Sequence, residues 1–308
     1  MTVESRFRAM GSDCHLIVVG GTTDLITEAR ERIELLERRW SRFLPDSEIS
    51  TLNDRAGIPM VVSDDTLLLV ERALRAKEMT HGLFEPTVLG DLMRAGYDRS
   101  FDQLGDRPQP VFTDLGQGPV AVVGPTVVLA PGTGFDPGGI GKGLAADVVA
   151  REMVLAGADG VCVNLGGDVR VSGTSPDNGP WTVSIDHPEV QDPLALVDLQ
   201  DGAVATSTTL LRSWSTPEGR NHHLIDPSNG QPSRSDLVLV SVIAAEGWIA
   251  EAHAKAALIA GSDHSFDLVS TTGIEAMAVT ADGDVMSTPG FDRFAPRQHA
   301  ARLEGAMP

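Results

Sequence analysis

The stretch FDPGGIGKGLAAD, residues 135–147, constrains the fold more than any other part of this 308-residue chain. Four glycines surround one lysine, and residues without a Cβ atom permit a tight loop. The apolar spacing after the loop, closed by Gly157, predicts a helix that begins inside the stretch. The first N–H groups of a helix carry partial positive charge, so such a loop can hold an anion. A tight turn that binds nothing is the alternative.

The stretch fits neither of two familiar phosphate-binding loops. A P-loop needs a glycine five residues before its Gly-Lys pair and Ser or Thr directly after it, but this chain has Asp136 and Gly143 there. A dinucleotide-binding fingerprint needs G-x-G-x-x-G straight after a strand, whereas here the glycines alternate at 139, 141 and 143 behind Pro137. The residues alone therefore predict an anion-binding loop of another kind.

Composition limits the partners of the chain. It has 24 Lys and Arg against 43 Asp and Glu, a formal net charge of −19, which disfavours nucleic acid and anionic membranes. Cys14 and Cys162 lack metal-ligand spacing and read as buried thiols. The segment MTVESRFRAM has no apolar signal-peptide core, and no run is long enough to span a membrane. We expect a cytoplasmic protein, with no nucleic-acid partner and no membrane span.

Hydrophobic spacing and turn residues predict alternating helices and strands. The N-terminal run FRAMGSDCHLIVVGG reads as one strand, followed by an amphipathic helix whose apolar positions run from Leu25 to Phe43. Ser47 and Ser63 are positioned to cap the next two helices. Residues 98–135, rich in Gly and Pro, suggest a linker or a crossing between subdomains. Hairpins follow the glycine-rich stretch, then a helix in GWIAEAHAKAALIAG, a further helix near residue 266 and a last hairpin around TADGD.

Two further motifs could carry chemistry. His222 and His223 precede LIDPSNG, and a histidine beside an aspartate at a strand end can act as a general base with an orienting carboxylate. A structural histidine at the strand end is the alternative. NLGGD at 164–168 offers two glycine N–H groups and a carboxylate, which suit either a close ligand approach or a plain β-turn.

Taken in order, these motifs resemble those of one known family. The resemblance runs from about Phe7 to Gly261 and rests on AMGS, FLPDSEISTLN, GLFEPTV, DPGGIGKGLAAD, NLGGD, ATS and HHLIDPSNGQP. The chain is similar to the ApbE family, the FAD:protein FMN transferases, which move FMN from FAD onto a Ser or Thr of a target flavoprotein and release AMP. The resemblance implies an α+β fold of mixed β-sheets packed with helices, as two closely joined α/β subdomains in one domain spanning 1–308.

The resemblance also implies the residues of the site. FAD is the substrate, an acceptor flavoprotein is the partner, and the glycine-rich loop would border the FAD pyrophosphate. The implied FAD contacts are Met10, Phe43, Leu83, Phe84, Glu85, Asp136, Lys142 and Ile225. His223, Lys142 and Lys255 form the implied catalytic set, with His223 as the group that could take the proton. Mg²⁺ would be held by the backbone carbonyl of Gly139 and by Glu251.

The expected metal site departs from the family pattern. Where the family reads roughly A-D-A-x-x-T, this chain has AEAHAK at 250–255, so that Glu251 replaces the Asp and Lys255 replaces the Thr. A protonated ammonium cannot ligate Mg²⁺ and would repel it. Three interpretations stay open: Lys255 takes the place of the metal, Lys255 points away while Glu251 binds metal alone, or the site no longer supports transfer.

The sequence accordingly leaves three functions open. The first is FMN transfer from FAD with release of AMP. The second is FAD binding without transfer, as a carrier or sensor, and the third is hydrolysis of FAD to FMN and AMP by water. His223 and the intact loop favour chemistry, whereas Lys255 favours binding without it.

Overall fold

The structure is a computed structural model that describes residues 1–105, 108–216, 219–269 and 273–296. Within these ranges the α-helices are α1 (Thr23–Trp40), α2 (Glu48–Asp54), α3 (Asp64–Met79), α4 (Leu89–Arg94), α5 (Gly141–Leu155) and α6 (Gly247–Ala260). The strands are β1 (Thr2–Ala9), β2 (Ser12–Val19), β3 (Met60–Val61), β4 (Val120–Val123), β5 (Thr126–Leu129), β6 (Gly160–Leu165), β7 (Asp168–Gly173), β8 (Trp181–Ile185), β9 (Ala195–Leu199), β10 (Gly202–Thr208), β11 (Ser213–Thr216), β12 (Gly219–His222), β13 (Ile225–Asp226), β14 (Gln231–Pro232), β15 (Leu237–Ala244), β16 (Glu275–Thr280) and β17 (Val285–Ser287).

One eight-stranded sheet, in the order β1-β2-β6-β7-β10-β15-β16-β17, forms the centre of the fold. All its neighbouring strands run antiparallel, and the parallel pairing in the described ranges is confined to two isolated bridges. Helices α1, α5 and α6 cover one face, and the β8–β9 hairpin covers the other. The α+β fold class with helices packed on sheets is confirmed.

Burial follows the two faces of this sheet. Strand β2 alternates, with Cys14, Leu16 and Val18 buried towards the helices. Helix α6 instead has 12 buried residues because it lies between the sheet on one side and α5 and α3 on the other. Its buried residues include the charged side chains Glu251 and Lys255. A charged side chain on so buried a helix is costly unless a partner group or a ligand contacts it, so Glu251 and Lys255 mark α6 as part of a candidate functional site.

Several local predictions are confirmed. The side chain of Ser47 accepts a hydrogen bond from the Ser50 N–H and caps α2, and Ser63 caps α3 through the Thr66 N–H. The glycine-rich stretch opens α5 as expected, and Gly157, with a φ of +100°, follows the end of that helix.

Two elements differ from the prediction. The first 19 residues form a hairpin rather than one strand, since Met10 and Gly11 take φ values of +52° and +64° and reverse the chain between β1 and β2. Positive φ at both central residues matches a two-residue hairpin turn. The helix expected near residue 266 is absent: residues 262–269 form successive turns, and 270–272 lie outside the described ranges.

The Gly- and Pro-rich segment 98–135 contains the hairpin β4–β5, which pairs with β3 in a three-stranded sheet. The division of the chain into two subdomains near this segment stays a prediction. Across the described ranges, each helix is too short or too polar to cross a membrane.

Candidate functional site

The first turns of α5 and α6 meet at two glycines. A Cβ atom added to Gly143 would lie 2.3 Å from the carbonyl oxygen of Gly247, and one added to Gly247 would lie 2.6 Å from the Gly143 oxygen. Real Cβ contacts are never this short, so the two backbones touch only because both positions lack side chains. The close approach brings the glycine-rich loop before α5 against the charged residues of α6.

Lys142 lies at the centre of a buried ion-pair cluster. Its Nζ contacts Asp168 at the start of β7 and lies 2.7 Å from Oε1 of Glu251, whose other oxygen accepts the Gly143 N–H at 2.8 Å. Burial raises the pKa of Asp168 to about 7, with Glu251 adding to the rise and Lys142 opposing it. Burial lowers the pKa of Lys142, but the two carboxylates outweigh it and raise the value overall. The positive charge of Lys142 is therefore already balanced by carboxylates of the protein.

Lys255 lies one turn further along α6 and has a different environment. Its side chain is buried, and its Nζ makes one long hydrogen bond, 3.4 Å, to the carbonyl oxygen of Gly138 in the loop. The ammonium also lies 5.6 Å from the centroid of the Phe84 ring. Burial lowers the pKa of Lys255, although the charges of Asp136, Glu251 and Glu85 oppose that shift. The side chain points to the loop and not away from it.

Asp136 fixes the start of the loop. One of its oxygens accepts the N–H of Gly138, and the other lies 2.8 Å from the Nε of Arg42, in an ion pair whose two side chains are both about 5% exposed. The Arg42 guanidinium also lies over the rings of Phe43 and Tyr97, 4.1 and 4.8 Å from their centroids. Arg42 thus joins the loop to the aromatic residues on its flank.

The hairpin turn that contains Met10 reaches the same region through Arg212. The Met10 N–H donates to Glu37 of α1 at 2.8 Å, and this holds the turn in place. Arg212, whose φ is +48°, donates to the carbonyl oxygen of Gly11 at 3.2 Å and to the hydroxyl of Ser12 at 3.1 Å. The positive charge of Arg212 is also among the causes that lower the pKa of His223.

Leu83, Phe84 and Glu85 follow α3 and lie beneath the loop. The Phe84 side chain is fully buried against Lys255, and its N–H donates to the Thr80 hydroxyl. Glu85 forms an ion pair with Lys77 at 2.5 Å, and the two line a cleft of about 580 Å³. This segment therefore contacts Lys255 through Phe84 and lines the cleft through Glu85.

His223 lies between the aromatic cluster and the lysines. Its ring centroid is 6.4 Å from that of Tyr97, and its Nδ1 is buried without a hydrogen-bond partner. Burial, followed by the positive charges of Arg212, Lys255, His222 and Lys142, holds the pKa of His223 well below its usual value. The neighbouring Ile225 is buried in the cluster that contains Tyr97 and Trp214. An imidazole that is neutral and has a free nitrogen can accept a proton.

The structure thus brings together Lys142, Lys255, Asp136, Gly139, Glu251, Phe84 and His223, all of which the sequence singled out. Sequence reasoning missed three neighbours: Arg42, Tyr97 and Arg212. Tyr97 is the only tyrosine in the chain, and Arg42 directly precedes Phe43, the first residue of the motif FLPDSEISTLN. Asp168 was noticed only as the carboxylate of NLGGD, which suited either a close ligand approach or a plain β-turn. Gly166 and Gly167 do form that turn, with φ values of +66° and +95°, and Asp168 contributes its carboxylate to Lys142.

The donor set does not fit a divalent metal ion. Glu251 already binds the Lys142 ammonium and the Gly143 N–H, and the Nζ of Lys255 stands at the loop where Gly139 was expected to offer its carbonyl. Nowhere in the described ranges do three or more His, Cys, Asp or Glu side chains form a group that could hold a metal. Mg²⁺ prefers several oxygen ligands in octahedral geometry, and a nearby ammonium opposes its charge.

Comparison with known proteins shows what the chain is similar to. Residues 10–278 match the sequence model of the ApbE family. An FAD:protein FMN transferase of Treponema pallidum is 31% identical over 80% of this chain and 74% of its own length. One from Vibrio cholerae is 26% identical over 90% of this chain and 84% of its own. The crystal structure of an ApbE protein from Thermotoga maritima superposes with a TM-score of 0.86 at 25% identity, covering 96% of this chain and all of that one.

Proposed function

Because the chain belongs to the ApbE family, as its motifs predict, we propose that it transfers FMN from FAD to a Ser or Thr of an acceptor flavoprotein and releases AMP. Two relatives similar along most of the chain are both named FAD:protein FMN transferase, and this favours transfer over FAD binding alone or FAD hydrolysis. The observation that carries the proposal is that a buried lysine contacts the glycine-rich loop, while a buried histidine beside Tyr97 lies within electrostatic range of that lysine.

The loop and the start of α5 suit a pyrophosphate. In the described part of the chain, the N–H groups of Gly139 and Lys142 donate to no acceptor, and they belong to the loop and first turn where an anion is favoured. Lys255 adds a buried positive charge beside them. We assign the phosphates of FAD to this position.

The remaining contacts implied by the family surround that position on two sides. Phe43 and Ile225 supply apolar surface on the side of Tyr97, and Met10 lies in the hairpin turn that Arg212 contacts. We assign the flavin to these three residues. Glu85, which directly follows Leu83 and Phe84 in the chain, lines the cleft, and we assign the adenylate part of FAD to that side. FAD then spans the loop from one side to the other.

The reaction needs a proton acceptor and charge stabilisation. The oxygen of the acceptor hydroxyl forms a bond to the FMN-side phosphorus while the bond from that phosphorus to the AMP phosphate oxygen breaks. AMP leaves with its phosphate, and the imidazole of His223 takes the hydroxyl proton. Cations and N–H groups placed around the phosphates stabilise the charge that moves to the leaving group. Lys142 contributes by holding Glu251 in an ion pair and so keeping that carboxylate from repelling the phosphates.

A peptide library tests the proposal without knowledge of the acceptor. Purified protein is incubated with FAD and a mixture of synthetic peptides that each contain one central Ser or Thr. Transfer should yield peptides with covalent flavin, seen by fluorescence and mass spectrometry, and a matched library with Ala at the central position should yield none. Covalent flavin on neither library, with full-length chain that binds FAD, would refute transfer.

The cytoplasmic location and the lack of a nucleic-acid partner stay predictions from the sequence. A net charge of −19 supports the second, because it repels a phosphate backbone. The acceptor is accordingly proposed to be a protein met in the same compartment.

A further inference from the structure

Lys255 is a buried ammonium without a counter-ion in the described part of the chain. The chain has three lysines, and the other two contact carboxylates: Lys77 pairs with Glu85, and Lys142 pairs with Asp168 and Glu251. Lys255 makes only the 3.4 Å hydrogen bond to Gly138, and no carboxylate in the described ranges comes within 4.0 Å of it. An ammonium has three donors, and burial of one that is so poorly partnered is costly unless a ligand completes it.

The ammonium is held at the inner surface of the loop. Gly139 has a φ of +90°, and a Cβ added there would lie 2.7 Å from Cδ of Lys255 and 3.3 Å from its Nζ. The ammonium also lies 5.6 Å from the centroid of the Phe84 ring, which is itself fully buried. The side chain is therefore confined between loop and ring, and its charge is directed at the position we assign to the FAD phosphates.

The carboxylate of Glu251, which could have bound a metal ion, is paired with other groups of the protein. Glu251 is 4% exposed, and its two oxygens are taken by the Lys142 ammonium at 2.7 Å and the Gly143 N–H at 2.8 Å. A divalent ion at the loop would have to displace Lys142 and face the charge of Lys255. At this loop the described residues thus place a positive charge where a metal ion would be needed, and the carboxylates of Glu251 and Asp136 are already paired.

From these contacts we infer that the ammonium of Lys255 is a built-in substitute for a divalent cation, and that the chain binds the pyrophosphate of FAD without any metal. This inference rests on the proposed function, which identifies the anion as FAD. Since one charge stabilises a phosphate less than a divalent ion does, we expect a slow transfer reaction that is insensitive to chelators.

Isothermal titration of FAD tests the inference through binding rather than activity. Wild-type chain is titrated in buffer with EDTA and in buffer with Mg²⁺, beside Lys255→Met, which removes the charge but keeps an unbranched side chain. Arg30→Met is the matched control, because Arg30 is exposed, it pairs with Glu34 on the same helix, and neither residue lines the cleft. Wild type and control should bind FAD equally in both buffers, and Lys255→Met should bind roughly 10- to 100-fold more weakly in both.

The outcomes separate the inference from the function on which it rests. If wild type binds FAD only with Mg²⁺, the inference is wrong and the proposed function stands. If wild type binds no FAD in either buffer, the proposed function fails as well. Lys255→Met that is folded by circular dichroism yet binds like wild type would also overturn the inference.

A second measurement observes the wild-type chain directly and uses a conservative variant only to assign one signal. With only three lysines, protein labelled with ¹⁵N-lysine gives at most three side-chain Nζ signals. Addition of FAD in EDTA should shift one of them strongly, and replacement of Lys255 by Arg should remove that signal. If the shifted signal belongs to another lysine, or if none shifts while FAD binds, Lys255 does not contact the ligand.

A paired substitution tests whether the metal site can be rebuilt. Glu251→Asp with Lys255→Thr introduces the shorter carboxylate and the hydroxyl of the family pattern, so FAD binding by the double variant should become dependent on Mg²⁺. Equal FAD binding in EDTA and Mg²⁺ by the folded double variant would count against the substitution of charge for metal. The shorter Asp is part of the design because Mg²⁺ demands tight octahedral geometry.

Discussion

Replacement of Gly143 by Ala should lower the stability of the fold and disorganise the site. The new Cβ would lie 2.3 Å from the Gly247 oxygen, 2.5 Å from the Gly247 carbonyl carbon and 2.9 Å from the Trp248 nitrogen, all of them backbone atoms that cannot rotate away. The two helices must therefore separate by roughly 1 Å to reach ordinary contact distances.

The magnitude follows from three contributions. Overpacking of this kind costs about 1–3 kcal/mol, and loss of the Gly143 N–H bond to the Glu251 carboxylate costs about 1.5–3 kcal/mol. Ala in place of Gly inside a helix returns about 1 kcal/mol. The free energy of unfolding should thus fall by roughly 1.5–5 kcal/mol, which lowers the melting temperature by roughly 2–8 °C in a chain of 308 residues.

Gly141→Ala is the matched control for calorimetry and urea unfolding. Gly141 lies in the same helical turn, but its added Cβ would meet only Pro137 Cβ at 3.6 Å, an ordinary contact. This variant should melt at or slightly above the wild-type temperature. If the two alanine variants melt together, the glycine contact between α5 and α6 does not hold the helices in place, and the reasoning fails.

Three further predictions concern other parts of the site. His223→Ala should leave FAD affinity nearly unchanged but slow AMP release by ~10²–10⁴-fold, measured by nucleotide chromatography, because a general base acts in the transition state; an unchanged rate would make His223 structural. Arg42→Met should lower the free energy of unfolding in urea by about 3–5 kcal/mol, because it leaves the Asp136 carboxylate buried and unpaired. Adding Asp136→Asn should recover most of that loss, and no recovery would refute the pairing. Burial lowers the pKa of His222 to about 4, so the stability that depends on its neutral form is lost as pH falls from 6.5 towards 4, at a cost of roughly 3 kcal/mol. His222→Gln should flatten that part of the stability–pH curve, and an equally steep curve would contradict the prediction.

The pH prediction depends on both nitrogens of His222. In the neutral ring, Nε2–H donates to the Ser233 carbonyl oxygen at 3.1 Å and Nδ1 accepts the Leu224 N–H at 3.2 Å. Protonation of Nδ1 breaks the second bond. Because the unfolded chain binds this proton more readily than the folded chain, stability rises with pH between the two pKa values.

Local features of the fold could be predicted from the sequence because their causes are local. Ser47 and Ser63 cap helices within three residues of themselves, and Gly157 ends α5 by itself. The hairpin turn was missed because Met10 occupies a left-handed conformation that non-glycine residues seldom adopt, and only tertiary contacts hold it there.

The segment near residue 266 shows the limit of periodicity. The backbone bonds there include Asp267 to His264 and Val269 to Phe266, which are three-residue turns that do not propagate as an α-helix. The segment is rich in Ser, Asp and His, whose side chains compete for backbone groups and favour turns over a helix. Residue spacing alone does not report that competition.

The chemistry of the site depends on contacts between distant residues. The sequence identified Lys142 and Glu251 separately, but their ion pair joins positions 109 residues apart. Read along the chain, Lys142 seemed the free cation and Lys255 the anomaly. The structure reverses this: Lys142 is neutralised by two carboxylates, and Lys255 is the cation left without one in the described ranges. The reversal could not be predicted, because charge compensation is set by tertiary packing.

The most direct test of FMN transfer is the ratio of products in a single turnover. Protein in excess over FAD is mixed with the Ser and Thr peptide library, and released AMP and peptide-bound flavin are quantified in the same sample. The account predicts one AMP for each flavin attached to peptide. AMP in excess of attached flavin, with free FMN making up the difference, would show hydrolysis by water and contradict transfer as the function of this site.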